Sequence, residues 1–177
     1  FNLAEEFIVQ HPEISRLSDS GVNTLRIISQ LNKDNEVEIL GARLRISVNK
    51  HVDNLASGNI AAPVDLESGK VFGRGVYSDI TKESVDAHPV SGIVLDGFQI
   101  PLWKEALNMV KKAALHRPEN RSIGWDVVLT EKGPDLLEGI DNWCKILWQL
   151  PINTGLKSVL ARHVTELPQA KPIKPEA

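Results

Sequence analysis

The residues best placed to do chemistry are Asp126 and Glu138, in the segment Ile123-Gly-Trp-Asp-Val-Val-Leu-Thr-Glu-Lys-Gly-Pro-Asp-Leu-Leu-Glu-Gly-Ile140. Two apolar strands flank Glu131-Lys132-Gly133, which suits a three-residue hairpin loop with glycine in the left-handed position. Centring that hairpin on Lys132 sets Thr130 opposite Pro134, Val128 opposite Leu136, Asp126 opposite Glu138 and Gly124 opposite Ile140. Side chains directly opposed lie about 4.5–5.5 Å apart, and like charges there destabilise the pair. Thr or Val at either position would remove that repulsion. Two facing carboxylates and water are, however, a usual oxygen shell for Mg²⁺. The alternatives are a wet sheet edge or pairing with an arginine.

Guanidinium groups stand in a second hairpin. Val22 to Leu31 is rich in β-branched and aliphatic residues, Asn32-Lys33-Asp34-Asn35 supplies turn chemistry, and Val37 to Ser47 reads as the returning strand. Alternation predicts Leu40, Ala42, Leu44 and Ile46 on one face and Ile39, Gly41, Arg43 and Arg45 on the other. One face is then core, and the other carries two forks that match phosphate or carboxylate oxygens. A surface ion pair with one of the 23 acids is the alternative for Arg45, and likewise for Arg26 on the preceding strand. Asn54 follows this strand in an Asp-Asn pair, which is also ordinary turn chemistry.

These strands need a layer behind them. Pro101 opens the clearest helical pattern, with Leu102, Trp103, Ala106, Leu107, Val110, Ala113 and Ala114 on one side. A second helix is predicted around Gly155 to His163, and short strands at Ile60–Val64 and Val71–Phe72. The period-2 and period-3.6 segments together predict an α+β domain with a largely antiparallel sheet and flanking helices. The stretch 167–177 holds three prolines and no periodicity and reads as a tail, leaving 1–166 as the domain.

Composition excludes several classes. At 177 residues and 42% apolar the chain supports a buried core, and a net charge of −3 disfavours binding nucleic acid through bulk phosphate neutralisation. No apolar run approaches the roughly 20 residues of a membrane span. No signal-peptide start is present, so a cytoplasmic fragment of something longer is the expectation. The five histidines are too scattered for a zinc site, and the single cysteine, Cys144, beside Trp143, reads as inert apolar packing. Gly69 to Gly75 lacks the Gly-Lys-Ser/Thr order of a phosphate loop and reads as turns.

Gly124-Trp-Asp126 followed by Glu138-Gly139 resembles the metal-binding hairpin in the C-terminal half of ATP-grasp carboxylate–amine ligases. The likeness runs from about Leu3 to His163. Glu5-Glu-Phe-Ile-Val-Gln-His-Pro12 resembles the family's hinge, Val22-Asn-Thr-Leu-Arg26-Ile27 and Ala42-Arg-Leu-Arg45 its next two strands, and Val52-Asp-Asn54-Leu-Ala-Ser-Gly58-Asn59 its substrate loop. With Ala87-His88-Pro89 and Gly97-Phe-Gln-Ile-Pro-Leu-Trp103, the set most resembles the sugar-transfer-associated branch.

The resemblance implies ATP and Mg²⁺ as cofactors, with Asp126 and Glu138 on the metal and Glu6, Ile8 and Leu137 on the nucleotide, Leu137 lying under adenine. It implies Arg45 and Arg26 as catalytic groups, and Asn54 and Gly58 as substrate contacts. The implied reaction phosphorylates a carboxylate and lets an amine attack the acyl phosphate, in polysaccharide or cell-surface precursor modification. It further implies a partner half carrying the lysine-bearing and glycine-rich phosphate clamp, which this chain does not resemble. One departure stands out. Where the family carries a metal-binding Asn two residues after the Glu, this chain has Ile140. A non-catalytic binding domain with a degenerate metal site is the alternative, and a half-domain that works only when docked to another chain is a third reading.

Overall fold

The computed structural model describes residues 7–51 and 53–166. Glu6 and the proline-rich stretch 167–177 lie outside the described residues. Six strands form one sheet: β1 (Thr24–Leu31), β2 (Val37–Ile46), β3 (Ile60–Val64), β4 (Val76–Tyr77), β5 (Ser122–Thr130) and β6 (Gly133–Ile140). Their order is β4-β3-β2-β1-β5-β6 and every pairing is antiparallel. Helices α1 (Pro12–Leu17), α2 (Trp103–His116), α3 (Lys145–Gln149) and α4 (Lys157–Glu166) complete an α+β fold.

The two hairpins predicted from alternation are present, and the pairing of β1 with β5 joins them into one sheet. One face meets α2, which packs Trp103, Ala106 and Val110 against Leu25, Ile27, Leu44, Val127 and Leu129 and also buries Ala114. The winding segment between β4 and α2 adds Leu95, Phe98 and Ile100 to the same core. Pro101 and Leu102 form a turn before α2 rather than its first residues, because Leu102 takes a left-handed conformation (φ 52°). The Val71–Phe72 candidate makes only an isolated bridge, Val71 to Val64.

Two bulges correct the sequence-derived faces. On β2 the register shifts opposite Ile28/Ser29, so Leu40 is skipped. Ile39 therefore joins the α2-side core, and Leu40 packs on the opposite face, against the cluster of Ile28, Trp143 and Trp148. Leu40 does not share a face with Ala42, Leu44 and Ile46 as alternation predicts, because an extra residue reverses side-chain direction beyond it. On β6 the unpaired residue is Leu137, while Thr130 pairs directly with Gly133. The hairpin loop is thus two residues, Glu131-Lys132, not three, and Gly133 does adopt positive φ (136°). The bulge restores the predicted register where it matters: Asp126 opposes Glu138 and Gly124 opposes Ile140.

The second face is capped by the C-terminal helices. Trp143 and Trp148 meet edge to face, with ring centroids 5.1 Å apart, beside Ile28. They need a flat floor, supplied by Gly41 and Gly124, the two cross-strand neighbours of Ile28. A Cβ at Gly124 would lie 2.6 Å from the Trp143 Cβ, and one at Gly41 would lie 2.8 Å from the Trp148 Nε1. Gly124→Ala is accordingly expected to destabilise the fold by about 1–3 kcal/mol through overpacking. A lower denaturation midpoint with a weakened near-ultraviolet tryptophan signal checks this. Cys144 is exposed rather than packed between the tryptophans, and its Sγ caps α3 by accepting from the Leu147 N–H.

Candidate functional site

On the second face a row of side chains crosses five strands: Glu138, Asp126, Arg26, Arg43 and Pro63 are successive cross-strand partners. Its centre is buried. Asp126 is 5% exposed and Arg26 is 6% exposed. Arg26 grips Asp126 with both ends of its fork, Nε donating to Oδ1 and Nη2 to Oδ2 at 3.0 Å. Arg45 donates from Nη1 to Asp126 Oδ2 at 2.6 Å and pairs through Nη2 with Asp53 Oδ1 at 2.7 Å. Asp53 Oδ2 in turn accepts from the Thr24 N–H at 2.8 Å and from the Thr24 hydroxyl. Neither Arg26 nor Arg45 is thus a surface ion pair. Arg26 is buried and the Arg45 side chain is nearly so, where breaking one partner away leaves an uncompensated charge.

The carboxyl groups respond to this setting in different directions. Burial would raise the Asp126 carboxyl, but hydrogen bonds from Arg26 and the charges of Arg45 and Arg26 outweigh it and hold the group below its usual range. Burial raises Asp53, only partly offset by Arg45 and Thr24. At the exposed Glu138, partial desolvation, then the hydrogen bond and charge of Asp126, push the carboxyl up. Asp126 and Glu138 therefore sense each other on one face. Arg43 stands apart: its Nε donates to the Trp148 carbonyl at 3.0 Å and its Nη1 to the Ala42 carbonyl at 2.7 Å. Burial lowers its guanidinium to about 10, and it serves to tie the tryptophan cap to β2.

The other sequence-predicted residues are spread around this centre. Ile8 and Leu137 do come together, lining an open cleft of about 870 Å³ between residues 7–9 and the β5–β6 hairpin. Asn54 and Gly58 mark the two ends of the 3-10 turn Leu55–Ser57: Asn54 Oδ1 accepts from the Ala56 N–H at 3.1 Å, and Gly58 takes φ 89°. They approach the charged row only through the neighbouring Asp53. Ile140 lies opposite Gly124, one row along from Glu138, and offers no oxygen. Among the described residues no group of three or more His, Cys, Asp or Glu side chains could hold a metal ion.

A family model described as sugar-transfer associated ATP-grasp matches residues 1–166. The chain belongs to this family. No curated protein and no solved structure matches it significantly. Membership points to ATP-dependent, ligase-like chemistry with ATP and Mg²⁺ as the typical cofactors. Among the described residues no helix is long and apolar enough to cross a membrane.

In this ATP-grasp chain, sequence reasoning passed over Asp53 and Thr24. Asp53 sits in an irregular loop where no periodicity marks it. The available signal was the pair Arg43 and Arg45 on one face, since buried cations demand buried counter-charges. His88 also has a structural place: it is 2% exposed, its ring bonds the Ser47 carbonyl at 2.9 Å, and the Ser91 N–H bonds the ring from the other side.

Proposed function

We propose that the chain is the metal- and nucleotide-binding half of an ATP-dependent carboxylate–amine ligase, forming an amide through an acyl phosphate. The supporting observation is the pairing of Asp126 with Glu138 on the face that also carries Arg26 and Arg45. Glu138, whose carboxyl is pushed up by partial desolvation and by the facing Asp126, is a donor whose charge a cation would relieve. The two carboxylates fit Mg²⁺ in one way only. Among the described residues no third His, Cys, Asp or Glu joins them, so the ion would arrive with phosphate oxygens and keep its water, which is how Mg²⁺ is bound in nucleotide sites.

On this reading Asp126 and Glu138 would hold the cation, which supplies charge neutralisation for phosphoryl oxygens. Arg45 and Arg26 orient Asp126 and set a positive potential where anionic oxygens gather. Ile8 and Leu137 offer apolar surface to the base in their shared cleft, and Asn54 and Gly58 shape the loop toward the carboxylate or amine substrate. A partner half completes the phosphate clamp, and the reading places the work on polysaccharide or cell-surface precursors in the cytoplasm, supported only by the family's association with sugar transfer.

Calorimetric titration of the intact protein with ATP, with and without Mg²⁺, tests the reading. Asp126→Asn and Glu138→Gln should each abolish the Mg²⁺-dependent part of the affinity. Unchanged affinity in both would reject the assignment. The alternative, a binding domain with a degenerate metal site, is favoured by Ile140 at the position next to Glu138 in the row pattern. It requires ATP affinity that is indifferent to Mg²⁺ in the wild type.

A further inference from the structure

Arg43 differs from its neighbours Arg26 and Arg45: it is 4% exposed, yet no carboxylate among the described residues pairs with it. Its Nε and Nη2 both donate to the Trp148 carbonyl, Nε at 3.0 Å, and its Nη1 donates to the Ala42 carbonyl at 2.7 Å. Burial lowers the guanidinium only to about 10, so it stays charged at neutral pH. The nearest charges in the sheet have the same sign, Arg26 directly across β1 and β2 and Arg45 two residues along β2. Asp126 and Asp53 are already spent on those two. Carbonyl dipoles compensate a buried guanidinium less fully than an oxyanion, which brings the opposite full charge and oxygens that match the fork.

The stretch that supplies the Trp148 carbonyl is lightly held. Over residues 141–152 the buried apolar contacts are Trp143 and Trp148 on Ile28, and Leu147 beside Leu55 and Ala61. The core under α2 is far larger. Trp148 Nε1 is buried with no hydrogen-bond partner among the described residues. Segments with few buried apolar contacts open at low free energy, and an unmet polar group lowers that cost further.

We propose that residues 141–152 form a strap over an oxyanion site centred on Arg43: when the strap lifts, an incoming carboxylate or phosphoryl group replaces the Trp148 carbonyl on the guanidinium fork. The site continues the row of Asp126 and Arg26 across the sheet. It asks nothing of a metal at Asp126 and goes beyond the ligase reading. Strap and anion compete for the same N–H groups, so the consequence has a sign. Anion binding loosens 141–152, whereas a ligand that settles on the closed structure tightens it.

The test is hydrogen exchange on the intact protein, read over 141–152 by mass spectrometry. Inorganic pyrophosphate and succinate are separate probes, with chloride matching the ionic strength. At about ten times the probe's dissociation constant for the open form, the open population and its exchange rate should rise about tenfold, because only that form binds. The tryptophans should become open to acrylamide quenching while exchange in α2 stays unchanged. Response to pyrophosphate alone assigns the site to a phosphoryl group, response to succinate alone to a carboxylate, and response to both to their shared oxyanion chemistry. Arg43→Met should abolish the response to either probe. Gly41→Ala presses on the strap from the sheet side, since its Cβ would lie 2.8 Å from Trp148 Nε1. A variant that raises the open fraction about tenfold should lower the probe's apparent dissociation constant by the same factor. Gly41→Ala keeps Arg43 and so carries the test where Arg43→Met does not fold. Slower or unchanged exchange over 141–152 with both probes, acceleration that survives in Arg43→Met, or a strap loosened in Gly41→Ala without tighter probe binding overturns the proposal.

Discussion

Asp126→Ala should destabilise the chain by about 3–5 kcal/mol, the usual consequence of leaving buried charges without their partner. The size follows from what Asp126 neutralises: Arg26 through two bonds and Arg45 through one, with all three side chains largely out of water. Replacing the whole unit should hurt far less. A triple variant, Arg26→Met, Arg45→Met and Asp126→Leu, removes the charges together and should recover much of the loss, although Asp53 then needs neutralising as well. The pH dependence separates this from a simple packing defect. Because the Asp126 carboxyl sits below its usual range in the folded chain, its contribution is fully present above the ordinary carboxylate range and is lost as pH falls through the lower folded value. Asp53 and Glu138 have the opposite sign, since raised carboxyl groups favour the folded state on the acid side and lose that contribution as pH rises through their folded values. In Asp126→Asn the acid limb of a stability-against-pH curve should therefore be shallower than in the wild type. Parallel curves would mean that Asp126 is not the carboxylate on which acid stability turns.

The parts of this arrangement that were legible in the sequence are those encoded by local period. The hairpins β1–β2 and β5–β6 and the helix α2 follow from alternation and from a 3.6-residue repeat. The facing of Asp126 and Glu138 follows from a turn only a few residues away. What the chain does not write locally is the pairing of β1 with β5. That pairing brings Arg26 onto Asp126 across 100 residues of sequence and settles which groups answer the carboxylate. Bulges are equally silent. Leu40 and Leu137 carry no mark that distinguishes them from their neighbours, yet each reverses side-chain direction in its strand, and the Leu137 bulge compensates a loop shorter than predicted. The short helices α1 and α3 have too few residues to display a period. His11 nevertheless caps α1 through its Nδ1, and Cys144 caps α3 through its Sγ. Both are polar atoms used at helix ends, where backbone N–H groups lack partners.

On the proposed ligase reading, Glu138 and Ile140 are the two positions on β6 where a substitution tests the metal site without disturbing a buried charge, since Glu138 is exposed and Ile140 stands two residues along the same strand, opposite Gly124. Glu138→Gln keeps the shape of the side chain and the register of β6 while removing a full ligand charge. On the proposed ligase reading it should lower turnover on the order of a hundred- to a thousandfold, since a positioned metal contact supplies several kcal/mol of charge stabilisation. Thermal stability should barely move, because Glu138 is exposed and makes no ion pair among the described residues. That separation of turnover from stability distinguishes it from Asp126→Ala. Ile140→Asn restores a side-chain oxygen beside the pair, in the row that runs through Gly124. If the wild-type site is functional but short of one ligand, this variant should tighten Mg²⁺-dependent ATP binding and raise turnover at low Mg²⁺, with little change at saturating metal. Metal-dependent binding that first arises in Ile140→Asn, with none in the wild type, would instead identify the chain as a nucleotide-binding domain whose metal site was disabled at this one position.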